Sequence, residues 1–324
     1  MSLRILAILG FFSALAPALA QADLAAAPMQ LSLKVTTDSL SQQCRRLHAA
    51  DTQSVATVTL RRTFHDDFDK HPLSSGKWAP HYAGGADWPE ARYWGGDGSD
   101  FKRKTAWNGE QQIYVDPRYA GRGTTPLGLD PFSVRDGLLS ITASRTPPAL
   151  KEVLFHNEYV SGILTTQSSF AQKLGYFEIR ARIPVGRGVW PAFWMLADNG
   201  GWPPEIDVME GRGQRPGDLV MTTHWRTSPA GPVQSCGFDF MVPDASTAFH
   251  DYGVLWLQDR LIYFIDRKPV SDIRVPDTFE DPMYMIVNLA MGSRNFEGVG
   301  FVDAESPVTV AFEIDRISAW QIDP

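Results

Sequence analysis

Cysteine is scarce in this 324-residue chain, which has only Cys44 and Cys236, and no Cys/His cluster has zinc-like spacing. That excludes a disulfide-rich small scaffold and a structural zinc module. No glycine-rich phosphate loop follows a predicted strand, which argues against the nucleotide-binding folds. Basic residues are outnumbered 30 to 37, for a formal charge of −7. A chain with that balance is not built to seek nucleic acid or an anionic membrane. Long amphipathic helical patterns are absent too, and beyond the first twenty residues no apolar run is long enough to span a bilayer.

What is present begins with "MSLRILAILGFFSALAPALA". A lone Arg4, an apolar run and a small-x-small end at Ala18-Leu19-Ala20 predict a secretory signal peptide cut after Ala20, hence a secreted or periplasmic protein with no membrane attachment after cleavage. Cleavage removes Arg4 and no acid, leaving 29 basic and 37 acidic residues and a charge of −8. In that compartment the two cysteines are permitted to pair, but a bond needs the N-terminal stretch to reach a distant loop, and the sequence leaves the pairing open. Residues 21–60 are polar, with one alternating segment, "QLSLKVTT", and are expected to form an extension packed on or preceding one main domain over 61–324.

From residue 63 onward, short alternating runs are separated by Gly, Pro, Asp and Asn. Strands are expected at 138–144, 162–169, 175–184, 219–225, 253–258, 261–270, 283–291 and 308–320. In "GYFEIRARIP", Phe177, Ile179, Ala181 and Ile183 alternate with Tyr176, Glu178, Arg180 and Arg182, predicting one core face and one wet face. A hairpin is expected to turn at Asp259-Arg260. Residues 80–135 and "VLFHNEYVSG" are read as long loops decorating a rigid scaffold. The fold class that follows is all-β, an antiparallel sandwich.

The stretch "GWPPEIDVMEGR" holds Glu205, Asp207 and Glu210. On a regular strand the first two share a face and the third points the other way. One extra residue near Val208-Met209, a β-bulge, would return Glu210 to the same row. Crowded carboxylates repel, and burial raises the pKa of at least one of them. Two carboxyls flanking a sugar linkage are the machinery of a glycosidase, with a separation of about 5–5.5 Å for retention and about 6.5–9.5 Å for inversion. Solvated strand acids, or a metal site made of the acids and His224, are the other readings these residues allow.

"GYFEIRARIPVGRGVWPAFWML" followed by "WPPEIDVMEGRG" resembles glycoside hydrolase family 16. Its laminarinase-like members carry a Glu-x-Asp-x-x-Glu strand, and its lichenase-type members the shorter Glu-x-Asp-x-Glu. The resemblance covers about residues 63–321. It implies a concanavalin A-like jelly-roll β-sandwich of two antiparallel sheets and a retaining, endo-acting hydrolase of a β-linked glycan, with no cofactor required for catalysis. By position, it implies Glu205 as nucleophile, Asp207 as assisting acid and Glu210 as acid/base. It further implies Trp190 and Trp202 as cleft platforms with Trp194 in the core, and His224 and Trp225 beside the acids. Asn108 and Glu110 in "WNGEQQIYV", and Asn288 in "VNLAMGS", are implied sugar ligands. A structural calcium ion is implied at Asp67 and Asp315, although Asp67 stands where the family more often has Glu.

The expectation is therefore a monomeric enzyme cutting β-1,3 or mixed β-1,3-1,4 glucan linkages, with a bacterial exopolysaccharide as one candidate polymer. Arg187, Arg212, Arg215 and Arg226, with "DFKRKTAW", place positive charge near the acids and suggest an anionic polysaccharide. A galactan hydrolase of agarase or carrageenase type, or a transglycosylase, would use the same acids. A non-catalytic carbohydrate-binding module on the same sandwich has no use for three crowded carboxylates.

Overall fold

Where every second side chain is apolar, a strand buries one face, and two such faces pressed together make a sandwich. The computed structural model describes residues 27–34, 44–46, 55–82, 103, 108–228, 230–275 and 279–323. Eighteen strands are found among them. The first nine are β1 (Met29–Lys34), β2 (Cys44–Arg46), β3 (Val55–Asp66), β4 (Gln112–Tyr114), β5 (Phe132–Arg135), β6 (Leu138–Arg145), β7 (Tyr159–Ser161), β8 (Ile163–Thr165) and β9 (Gly175–Arg182). The others are β10 (Val189–Ala197), β11 (Glu205–Gly211), β12 (Asp218–Arg226), β13 (Val233–Met241), β14 (His250–Trp256), β15 (Arg260–Ile265), β16 (Lys268–Arg274), β17 (Met283–Met291) and β18 (Thr309–Ile322). Among the described residues, helix amounts to the 3-10 turns Pro72–Ser74 and Pro148–Leu150 and a 3-10 residue at Asn108, and no helix is long and apolar enough to cross a membrane. The signal segment lies outside the described residues.

The smaller sheet has the order β13-β12-β11-β10-β17-β8. The larger runs β2-β16-β15-β14-β9-β18-β6-β7-β4, with β3 along the C-terminal half of β18, β1 on β3 and β5 on β6. Between them, Phe177, Ile179 and Ala181 of β9 and Ile314 and Ile317 of β18 share one core with Phe193 and Met195 of β10, Ile206 and Val208 of β11, and Val287 and Leu289 of β17. The all-β, two-sheet expectation is what the chain adopts.

Several local expectations differ. The run 261–270 is two strands, because Asp266 and Arg267 take φ of 49° and 57°, the left-handed pair that closes a tight two-residue hairpin between β15 and β16. The expected strand 162–169 shortens to β8, and β4 and β5 form inside the region read as loop. The outer face of β9 is only half wet. Tyr176 packs with Leu31, Leu33, Leu60, Phe264 and Trp320 in a second apolar layer. Glu178, 1% exposed, accepts from Tyr176 Oη at 2.9 Å and from Arg267 at 2.8 and 2.9 Å. Alternation marked that face as polar, but β1 supplies the apolar cover.

The pairing left open by the sequence is present: a disulfide joins Cys44 to Cys236, with Cα atoms 5.9 Å apart across 192 residues. It ties β2, at one edge of the larger sheet, to β13, at one edge of the smaller. Closing so long a loop restricts the unfolded chain strongly. Substituting the exposed end, Cys44→Ser, is expected to lower unfolding free energy by about 2–5 kcal/mol. Denaturant titration of the two proteins measures the difference, and an unchanged midpoint would show that the bond carries no stability.

Candidate active site

Strand β11 follows "GWPP" and pairs with β10 and β12 on either side. Its register breaks once. Asp207 lies opposite Trp194 and Met209 opposite Phe193, so Val208 is the additional residue, and on the other side Asp207 opposes Thr222 while Glu210 opposes Val220. This is the expected bulge. Ile206, Val208 and Met209 all enter the core, and Glu205, Asp207 and Glu210 line up on the face turned away from the larger sheet.

The sequence-predicted residues fall unevenly around this row. Trp190 donates its indole N–H to Glu210 at 3.0 Å, and Trp202, 46% exposed, donates to Glu205 at 2.5 Å. His224, directly across from Glu205, brings Nε2 to 3.3 Å from Asp207 Oδ2 and 4.0 Å from Glu205 Oε1. Asn288 sits two strands away in the row of Glu210 and Ala192. Its amide accepts from Trp194 at 2.8 Å and donates to Tyr114 Oη at 2.9 Å. Glu110 is buried and accepts from Gln112 at 2.5 Å, while Asn108 contributes its carbonyl to the Arg294 and Ser293 turn.

Burial dominates the electrostatics. It raises Glu210 from 4.5 to about 7, helped by the charge of Glu205 and opposed by the Trp190 hydrogen bond and Arg212. Asp207 rises to about 6, through burial and the Glu210 charge, with His224 pulling it back. Glu205 is pushed well above the carboxylate range by burial and by Asp207, to which it is hydrogen-bonded. Burial and the neighbouring charge thus both favour a proton held within this pair. His224 is raised: burial lowers it, but the hydrogen bond and charge of Asp207, then Glu205, outweigh that. One group near neutrality beside a proton-sharing pair is equipped for acid–base and nucleophilic work on a bond placed along the row.

The family model for glycosyl hydrolases family 16 matches residues 132–304, more than half of the chain. The chain belongs to glycoside hydrolase family 16. It is 37% identical over 274 residues to Endo-1,3-1,4-beta-glycanase ExsH of Rhizobium meliloti (strain 1021), covering 83% of this chain and 54% of that protein. To Endo-1,3-1,4-beta-glycanase EglC of the same organism it is 40% identical over 237 residues, covering 72% and 46%. The family 16 chain thus spans about half the length of these relatives. Its fold is shared by the laminarinase catalytic domain of Thermotoga maritima MSB8, with a TM-score of 0.63 at 24% identity over 82% of this chain and 99% of that one.

Against that family frame, four expectations are corrected. Trp225 is 3% exposed and lies in the core between the sheets, because it alternates with His224 on β12 and only one of the two can face the acids. Trp194 shares a face with Trp190 on the regular strand β10 and so sits on the site side, half-buried against Tyr82 at 6.0 Å. Parity alone, read along β10, would have placed it there. The calcium ligands do not fit: Asp315 is engaged by Arg316 at 2.8 Å and Arg180 at 3.4 Å, which supply the positive charge a cation would bring. Asp67 is exposed beside His65, 3.8 Å away. Among the described residues, the one group of three or more acids and histidines close enough to hold a metal is Glu205, Asp207 and His224.

The arginines do not form an anion-binding patch. Arg187 pairs with Asp303 and Glu305, Arg212 with Asp218 and Asp239, Arg215 with Asp218, and Arg226 donates to the Gly231 carbonyl. The "DFKRKTAW" segment lies outside the described residues except for Arg103, which is buried against Asp116 at 2.9 Å. Two residues escaped sequence reading. Phe296 stacks on Trp190 at 4.9 Å, and Ser235 Oγ lies 2.7 Å from His224 Nδ1.

The raised carboxyl of Glu210 implies a stability cost with a definite sign. The folded protein binds this proton more tightly than the unfolded chain, so stability falls as pH rises from about 4.5 through about 7. Glu210→Gln is expected to be more stable than the parent at pH 8 by about 1–3 kcal/mol, with the gap closing at pH 4. Thermal unfolding at the two pH values measures it, and an equal gap at both would contradict the raised pKa.

Proposed function

We propose that this chain is a retaining, endo-acting hydrolase of β-1,3 or mixed β-1,3-1,4 glucan linkages. The observation that carries the reading is the row itself: a bulge places three carboxyls on one face, Asp207 buried and Glu205 and Glu210 half-buried, and a separate tryptophan donates to each of the two outer ones. The endo-1,3-1,4-β-glycanase names of both relatives support the glucan class. With its arginines already paired, the site suits a neutral backbone. We further propose export of a monomer, supported by the signal-like residues 1–20 and by the disulfide, with an exopolysaccharide as one natural polymer.

In this mechanism Glu210, protonated near neutrality, gives its proton to the glycosidic oxygen as Glu205 attacks the anomeric carbon and forms a glycosyl ester. Glu210, now a carboxylate, then takes a proton from water as the water cleaves that ester, restoring the starting configuration. Two contacts compete for the charge of the proton-sharing pair: His224 favours it on Asp207, and the Trp202 indole favours it on Glu205. The reaction needs it on Glu205, with the shared proton on Asp207 donated back to the nucleophile. Trp190 and Phe296 together present an aromatic surface at the Glu210 end.

Two tests separate the roles. Glu205→Ala with added azide and an activated aryl glucoside should give the inverted glycosyl azide, and Glu210→Ala the retained one. The opposite pairing would swap nucleophile and acid/base. Activity should fall as pH rises through about 7, when Glu210 loses its proton. Trp190→Phe, which removes a hydrogen bond favouring the ionised form, should move that limb to higher pH. An unmoved limb would dissociate Trp190 from the acid/base.

A further inference from the structure

The acids of β11 are not the end of their row. Glu205 lies opposite His224 on β12, and His224 lies opposite Ser235 on β13, so three strands present one continuous line of polar side chains. Ser235 Oγ is 2.7 Å from His224 Nδ1, and the other ring nitrogen faces Asp207 at 3.3 Å. A neutral imidazole has one N–H, and its tautomer is set by what the second nitrogen meets. If Nδ1 carried the only proton, the Nε2 lone pair would oppose the Asp207 carboxylate. A serine hydroxyl avoids this in both charge states. It donates to Nδ1 when the ring is neutral and accepts from Nδ1–H when the ring is charged, and Nε2–H points at Asp207 either way.

What holds Ser235 is unusual for an edge strand. Along β13, Cys236 is the only fully buried side chain; the others are exposed or half-exposed. That residue follows Ser235 and forms the disulfide to Cys44. The strand thus has its hydrogen bonds to β12 on one side, Phe238 and Phe240 packed against the core, and, next to Ser235 itself, a covalent tether to the other sheet.

We propose that Ser235 is a positioning residue for the catalytic acids, acting through His224, and that the Cys44–Cys236 disulfide keeps it in register. The inference rests on the hydrolase reading above. The charged and titratable groups facing His224 are Asp207 and Glu205 from β11; from its own strand Arg226, two residues on, turns to the Gly231 carbonyl, and from β13 Ser235 is the facing group. With Nε2–H fixed toward Asp207, the proton-sharing pair keeps the donor that favours its ionised form. Without Ser235 the ring is free to rotate or to change tautomer, and the pair holds its second proton to higher pH.

The test pairs kinetics with a direct view of the ring. In the full-length oxidised protein, Ser235→Ala should lower kcat by roughly 3- to 10-fold with KM little changed. It should also raise the acidic limb of the pH profile by about half a unit or more. Ser235→Thr, which restores a hydroxyl, should recover both. Cys44→Ser should move the limb in the same direction, and combining it with Ser235→Ala should add little, since both act on one contact. Nitrogen-15 chemical shifts of His224 in the resting protein, read at a pH where the ring is neutral, should show the proton on Nε2 in the parent and a mixture of tautomers in Ser235→Ala. This readout does not depend on turnover, so it stands if the parent proves to have no glucanase activity. An unmoved acidic limb with unchanged nitrogen shifts would overturn the proposal, including the case where activity falls only in step with melting temperature.

Discussion

Three carboxylates can share one row of β11 only because Val208 is an additional residue, and the crowding that this creates governs the rest of the site. The same six positions that align Glu205, Asp207 and Glu210 also carry Ile206, Val208 and Met209 into the core. A bulge satisfies both demands, whereas a regular strand of this length would bury one acid or expose one apolar side chain. The core therefore fixes the acids. Any slip of β11 that moved them would pull three apolar groups out of the sandwich.

The surroundings moderate the repulsion without removing it. Each acid has a nearby donor, Trp202 for Glu205, His224 for Asp207 and Trp190 for Glu210, and two of the three are neutral. An arginine in contact with any of them would pull its pKa down and abolish the proton that the chemistry requires. Arg212 is close enough to be felt by Glu210, but its guanidinium is spent on Asp218 and Asp239. The site keeps its acids partly unrelieved, which is what distinguishes working carboxyls from solvated ones.

Much of this was legible in the residues. Alternation gave β6, β9, β12, β14, β17 and β18, and the spacing of Glu205, Asp207 and Glu210 suggested the bulge that β11 has. Trp190 and Trp202 came from the family resemblance, and parity within a strand would have corrected Trp194 and Trp225 had it been carried through β10 and β12. What alternation does not convey is which strands become neighbours. Ser235 meets His224 because β13 pairs with β12, a partnership that the alternation of Cys236, Phe238 and Phe240 in "VQSCGFDFM" does not disclose. The buried outer face of β9 was hidden for a similar reason, since its cover comes from β1, more than a hundred residues earlier. The calcium site failed on neighbours as well, because a single carboxylate pattern does not show the arginines that engage Asp315.

Strand β18 has a consequence of another kind. Residues 309–322 lie in the middle of the larger sheet, against β9 on one side and against both β6 and β3 on the other. Until they are in place, β9 and β6 have no shared neighbour and β3, with β1 upon it, has nothing to attach to. The larger sheet therefore closes along its centre line only when β18 meets β9, β6 and β3, partners more than a hundred residues away in the chain. Pairing across such distances is slow, so this one strand sets the pace at which the two halves of the sheet become a single surface.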